Sequence, residues 1–227
     1  MSPTKNKNQV ISKQRVADHG EVFTAEREVS AMLDMVRHET ERIDSRFLEP
    51  ACGTGNFLVP VYEKKLAMTK KRYGRSQLEF ERYAVVCTGS VYGVDILLDN
   101  VKLCRKRLFE TFDNVYTALY KKRSKDTVRD TVRFILGRNI LCGDALSLKT
   151  VSTQPKPIVF SQWSLVRGSM IKRRDFAFEE LLPDNSTNIS LFKQAHISDL
   201  GTPAFIPSPV REYPLAHFLS LNHENAN

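Results

Sequence analysis

Apolar positions along the chain fall into short runs separated by longer stretches with helical spacing. Val29, Met32, Leu33 and Val36 recur every three or four residues, which predicts a helix over Thr24–Arg42 with Thr24 as its N-cap. "RFLEPA" follows as a short buried strand. A second helix is expected from about Asn56 to Thr69. "KKRYGRSQLEFER" is a basic, irregular or helical excursion. "YAVVCTGSVYGVDIL" is rich in Val and Tyr and predicts one or two strands ending at Asp95. Val101, Leu103, Leu108 and Phe112 give Asp99–Leu119 a helical stripe. "YKKRSKDTVRDTVR" reads as charged and solvated, "FILGRNILCGDAL" as an apolar segment ending at Asp144, and Pro157–Phe160 as a fourth strand.

Strand and helix thus alternate, which predicts an α/β domain whose parallel-rich sheet is flanked by helices. The polar start reads as a flexible arm over residues 1–19 and the alternating pattern as one domain over 20–166. From Arg167 the chain turns rich in Pro, Phe and Asn, and 167–227 reads as a C-terminal extension.

Composition changes this picture in two ways. Among 227 residues, 34 Lys and Arg against 26 Asp and Glu give a net charge of +8, which favours a polyanionic partner. The cysteines Cys52, Cys87, Cys104 and Cys142 have no paired spacing, so reduced thiols and a cytoplasmic protein without a metal site are expected. "MSPTKNKNQ" lacks the apolar run of a signal peptide, and no apolar run is long enough to span a membrane.

Candidate chemistry concentrates in "FLEPACGTGNFL". A strand that passes through Gly53-Thr54-Gly55 into a helix is a small-molecule geometry: glycine permits positive φ and lets a ligand lie against the backbone. No Lys-Ser/Thr follows, which excludes a P-loop, and Glu49 ahead of only two glycines would repel a pyrophosphate but suits a cationic ligand. The competing reading is a tight turn with a buried acid. Asp95 and Asp144 end apolar segments and read either as acceptors at strand ends or as helix-cap and turn residues.

These segments, in this order, resemble adenine-specific DNA methyltransferases of bacterial restriction–modification systems. "FLEPACGTGNF" is similar to the family's S-adenosylmethionine-binding motif, "VYGVDIL" to its second motif and "ILCGDAL" to its third. "HGEVFTAEREVSAMLDMV" is similar to the segment that covers the cofactor's methionine end. The resemblance implies a Rossmann-like S-adenosylmethionine-dependent methyltransferase fold. It implies that Phe23 and Thr24 line the methionine end, although Phe23 serves equally as core. Glu49, Pro50, Ala51, Gly53, Gly55 and Asn56 would form the cofactor turn. Asp95 with Ile96 would take the ribose hydroxyls, and Asp144 with Ala145 the cofactor's adenine. It also implies DNA as partner, a separate recognition or nuclease subunit, and no metal.

The family's Asn/Asp-Pro-Pro-aromatic tetrapeptide is absent. "PIVFS" runs instead into Gln162-Trp163-Ser164. Either Gln162 replaces the side-chain acceptor and Trp163 stacks on a flipped base, or the chain binds cofactor without methylating, as a subunit or regulator of a defence system; Trp163 reads equally as a core or interface residue. A methyltransferase for a non-DNA substrate is a further alternative. The chain after Ser164 is short for the strands and recognition domain the resemblance implies, so a truncated fold is expected. Lys172, Arg173 and Arg174 form a basic cluster suited to phosphates, or else a solvated face or a loop packing on acids.

Overall fold

The computed structural model describes residues 26–181 and 207–223, together with Arg15 and the short strands at 196–197 and 203–204. Helices α1 (Glu26–Met35) and α2 (Arg37–Thr40) lead into β1 (Phe47–Glu49), α3 (Leu58–Tyr73), α4 (Gln77–Thr88) and β2 (Val91–Asp95). Next come α5 (Leu98–Tyr120), α6 (Asp126–Asn139), β3 (Ile140–Asp144) and β4 (Lys149–Thr150). Strands β5 (Val159–Arg167), β6 (Met170–Ala177), β7 (His196–Ile197), β8 (Pro203–Ala204) and β9 (Arg211–His217) complete the order.

The protein is α/β. Its first sheet has the order β1-β2-β3-β4, with β1, β2 and β3 parallel and β4 antiparallel to β3. Each new parallel strand is added on the same side of the last, so right-handed crossovers return every connecting helix to one face. Phe47, Val91 and Ile140 point into that face. There Val91 and Ile140 share a core with Leu58, Leu66, Phe80, Leu108, Phe112 and Ile135, and Phe47 meets Val29, Leu33 and Val61. The opposite face, Tyr92 and Val94, is covered by Ile158, Phe160 and Phe178, the last opening a short 3-10 turn, rather than by an α-helix. Helices on both faces were expected; helices cover one.

Two of the helices correct the sequence reading. Tyr83–Thr88, expected as strand, is the second half of α4, whose Phe80, Ala84, Val85 and Thr88 are buried at helical spacing. The charged stretch expected to be solvated forms most of α6, which buries Val128, Thr131, Val132, Ile135 and Leu136 along one stripe and leaves Arg129 and Arg133 outside it.

The expected fourth strand is also placed differently. β5 pairs antiparallel with β6, and β6 with β9, in a separate three-stranded sheet. The boundary expected at 166/167 falls at the tip of the β5–β6 hairpin. Phe218 and Leu221 enter the main core beside Trp163 and Ile171, so this part of the chain is integral to the fold. Pro214, which has no N–H to give a ladder, sits on the outer strand β9, where the register with β6 shifts.

Among the described residues no helix is long and apolar enough to cross a membrane, and no group of three or more His, Cys, Asp or Glu is placed to hold a metal ion.

Candidate functional site

The parallel register brings three carboxylates to one end of the sheet. Glu49 pairs with Gly93, Gly93 with Ile140, and Asp95 with Cys142. Laterally paired residues share a face and side chains alternate along each strand, so Glu49, Asp95 and Asp144 all end their strands on the same face. The Gly53-Thr54-Gly55 turn leaves β1 at this end. The sheet therefore gathers the acids that the sequence singled out, together with the turn.

The turn is built as much by packing as by any need to receive a ligand. Gly53 has φ +51 and Gly55 φ +88, conformations that L side chains rarely adopt. A Cβ on Gly55 would lie 2.9 Å from Cys104 Sγ of α5. Gly55 thus lets α5 approach the turn, a role beyond the backbone–ligand contact expected from sequence. Cys52 N–H donates to the Val94 carbonyl at 2.8 Å and Gly55 N–H to the Cys52 carbonyl at 2.8 Å, which fixes the turn against β2. Pro50 and Ala51 are exposed at its outer side.

Asp95 is the centre of the arrangement. Its side chain is buried. Oδ2 accepts the Gly53 N–H at 2.9 Å. Oδ1 accepts the Leu97 N–H at 2.8 Å and Asn100 Nδ2 at 3.2 Å. A carboxylate offers about four lone-pair sites, two on each oxygen. Oδ1 is therefore filled and Oδ2 keeps one. The bidentate ribose acceptor expected from sequence is reduced to a single open site. The helix-cap reading is realised at the same time, because Asp95 ties the turn to the start of α5.

The other acids differ in environment. Burial raises the Glu49 carboxyl above its ordinary range, partly offset by the Ala51 N–H. Glu49 is half-buried, so a cationic group beside it would recover the charge that burial disfavours. Asp144 is held below the ordinary range, first by the Ser147 side chain and then by main-chain N–H groups. Its oxygens accept from Leu146 N–H at 2.9 Å and Ser147 N–H at 3.3 Å. Asp144 thus caps its own turn and stands half-exposed. Ile96 is 45 % exposed at the mouth, while Ala145 packs on the Tyr92–Phe160 side.

Side chains the sequence reading missed complete the site. Arg107 of α5 donates through Nη1 to the Thr54 carbonyl at 2.7 Å and to Asn56 Oδ1 at 2.8 Å, so Asn56 is occupied in holding the turn. Arg15 pairs with Asp99 at 2.6 Å and donates to Asn100 Oδ1 at 3.2 Å. A chain of hydrogen bonds therefore runs from Arg15 through Asn100 and Asp95 to the glycine turn. The contacts of Arg107 and Arg15 span 51 to 85 positions and leave no local pattern to read. Phe23 and Thr24 lie outside the described residues.

Gln162 and Trp163 are not brought to this end. Trp163 is buried, donates Nε1–H to Asn139 Oδ1 at 3.3 Å and packs edge-on to Phe134. A Cβ on Gly89 would lie 2.9 Å from its Cβ and Cδ1. Gly89 and Asn139 precede β2 and β3, whereas the turn and the acids follow the strands. β2 alone spans roughly 13 Å at about 3.3 Å per residue, so the two groups occupy opposite ends of the sheet. Of the roles open to Trp163, stacking on a base or a core position, it takes core packing, because β5 pairs with β6 and never enters the parallel sheet.

The basic cluster is divided by the same alternation. Lys172 and Arg174 point outward, and Arg173 points into the interior, 1 % exposed. There Arg173 makes two 2.9 Å bonds to Asp175, receives the Tyr213 ring at 4.0 Å and meets Ser161 Oγ at 3.2 Å. Arg173 cannot reach a phosphate. Lys172 pairs with Glu212 at 3.0 Å, and the Arg174 guanidinium lies 5.9 Å from the Phe176 ring. Comparison with family models, curated proteins and solved structures found no match for this chain.

Proposed function

We propose that the chain is an S-adenosylmethionine-binding domain with a Rossmann-like methyltransferase fold, related to adenine-specific DNA methyltransferases of restriction–modification systems. The observation that carries this reading is the convergence of Glu49, Asp95 and Asp144 on one face at the carboxyl ends of three adjacent parallel strands, around a turn of two positive-φ glycines. The residues fit the cofactor. Oδ2 of Asp95 has one acceptor site for a ribose hydroxyl. Glu49, disfavoured as a buried anion, suits the cofactor's ammonium or sulfonium charge. Asp144 and Ile96 stand at the rim with one acidic and one apolar surface for the adenine ring.

When bound, the cofactor would supply an electrophilic methyl group. The chain's own residues orient it: Asp95 fixes the turn, Arg107 clamps Thr54 and Asn56, and Arg15 braces Asn100. Methyl transfer needs an acceptor array beside that methyl. The burial of Trp163 at the opposite end of the sheet favours the reading in which this chain holds cofactor as a subunit or regulator and does not itself methylate DNA.

Calorimetry with S-adenosylmethionine tests the first statement: saturable heat is expected, and none at millimolar ligand refutes it. Incubation with labelled cofactor and adenine-rich DNA tests the second. No label is expected to reach DNA from the chain alone, and label that does so refutes the non-catalytic reading.

A further inference from the structure

The geometry points to a second ligand site at the other end of the sheet, a cavity that fits a nucleoside phosphate. The cavity measures about 450 Å³ and lies between the segments that lead into β1 and β2 and the outer edge of β5. That volume falls within the range of about 300 to 1,000 Å³ of small-molecule sites. It shares no lining residue with the glycine turn.

Three features of its wall define the ligand. Tyr73 and Tyr83 stack on each other with centroids 3.8 Å apart and planes 4° from parallel. Both line the cavity and present a flat aromatic surface on which a planar ring can continue the stack. Arg46 and Arg72 bring two guanidinium groups against one carboxylate, Asp44. Arg72 donates to the Glu41 carbonyl at 3.2 Å, and among the described residues Arg46 has neither a hydrogen-bond nor an ion-pair partner. Guanidinium forks are suited to phosphate.

The third feature is the strand edge. The Ile158 carbonyl accepts the Phe178 N–H at 2.8 Å on the β6 side, so the Ser161 carbonyl, three residues on, points away from β6, where it accepts the Tyr92 hydroxyl at 3.2 Å. Main-chain groups alternate in direction along an antiparallel strand, so the N–H and C=O of Trp163 point outward with it, along the β5 edge that walls the cavity. A donor and an acceptor side by side match the edge of a nucleobase. An apolar ring would leave the excess positive charge of two arginines over one carboxylate unmatched, and inorganic phosphate alone would leave the tyrosine stack unused.

The chain carries its own probe, because Trp163 is the only tryptophan and lines this cavity. The experiment titrates AMP, GMP, CMP and UMP into the full chain, with adenosine and inorganic phosphate as partial ligands, following Trp163 fluorescence and calorimetric heat. At least one mononucleotide is expected to bind saturably with Kd below about 1 mM, with adenosine and phosphate at least tenfold weaker. Arg46→Gln is expected to weaken it about tenfold, and Tyr83→Ala comparably, with circular dichroism and melting as checks that both variants fold. Saturating S-adenosylmethionine is expected to leave the titration unchanged. Three results would each overturn the proposal: neither heat nor fluorescence change at several millimolar nucleotide, undiminished binding by folded Arg46→Gln, or nucleotide binding abolished by S-adenosylmethionine.

Discussion

Asp95→Ala separates what the carboxylate does for the fold from what it does for a ligand. The substitution deprives Gly53 N–H, Leu97 N–H and Asn100 Nδ2 of their acceptor. Hydrogen bonds to a charged group are worth about 1.5 to 3 kcal/mol each, and simple addition would give roughly twice what we expect. Gly53 and Leu97 are half-buried and can recruit water, whereas Asn100 is buried. The expected loss is therefore about 3 kcal/mol, a large part of a typical domain's stability. Asp95→Asn keeps an oxygen for Leu97 and Asn100 but turns an amide towards the Gly53 N–H, so about 1 to 2 kcal/mol is expected. Urea unfolding followed by circular dichroism reads both values, and calorimetry with S-adenosylmethionine on the folded variants reads the ligand contribution. Asp95→Asn should bind at least tenfold more weakly, since its amide replaces the single open acceptor. A loss below about 1 kcal/mol in Asp95→Ala would refute the turn-organising role. Unchanged cofactor affinity in Asp95→Asn would remove Oδ2 from the site.

Two further outcomes test the surrounding structure. Gly89→Ala has a backbone φ of −65° that suits alanine, so its cost is steric: the Trp163 ring must move from a Cβ placed 2.9 Å away. A loss of about 1 to 3 kcal/mol with red-shifted tryptophan emission is expected, and a native spectrum and melting point would contradict the packing. Lys65 is buried over the Phe47 ring at 5.2 Å, donates to the Arg42 and Ser45 carbonyls, and is lowered by burial to about 8 from 10.5. The folded form then binds fewer protons than the unfolded chain between those values, so this residue's contribution to stability rises with pH across that window. Lys65→Met should remove the rise, measured as the difference between the two proteins' urea midpoints from pH 8 to 10.5, and parallel profiles would refute it.

The parts of the fold that were legible in the sequence are those where one local pattern has one solution. "FLEPACGTGNFL" ends a short apolar run on glycines, and only a strand, a positive-φ turn and a helix accommodate that. The ends of β2 at Asp95 and β3 at Asp144 read correctly because each apolar run stops at an acid, where a parallel strand leaves the sheet, although Phe134–Asn139 of the run before Asp144 belongs to α6. Tyr83–Thr88 misled because Tyr, Val and Val favour strands, yet Phe80, Ala84 and Val85 bury one face of a helix, and tertiary burial outweighs propensity. α6 was hidden by its charge count, although Val128, Val132 and Ile135 carried the helical stripe throughout.

The errors at the candidate site have a different origin. Glu49, Asp95 and Asp144 could be picked out one by one, but that they share a face follows from register, which depends on partners far away in sequence. Arg107 and Arg15 act through contacts with no local signature. The run Lys172-Arg173-Arg174 reads as a single basic patch, yet strand alternation sends its middle member inward to Asp175. The same alternation governs Gln162-Trp163-Ser164, where a segment read as the end of a parallel strand is the edge of an antiparallel one. That single change of pairing partner moves Trp163 to the opposite end of the sheet from the glycine turn. On the readings proposed above, the glycine turn and the basic, aromatic cavity are two sites rather than two halves of one. Ligands added in either order should accordingly bind independently, although β2 carries Tyr92 at the cavity and Asp95 at the turn.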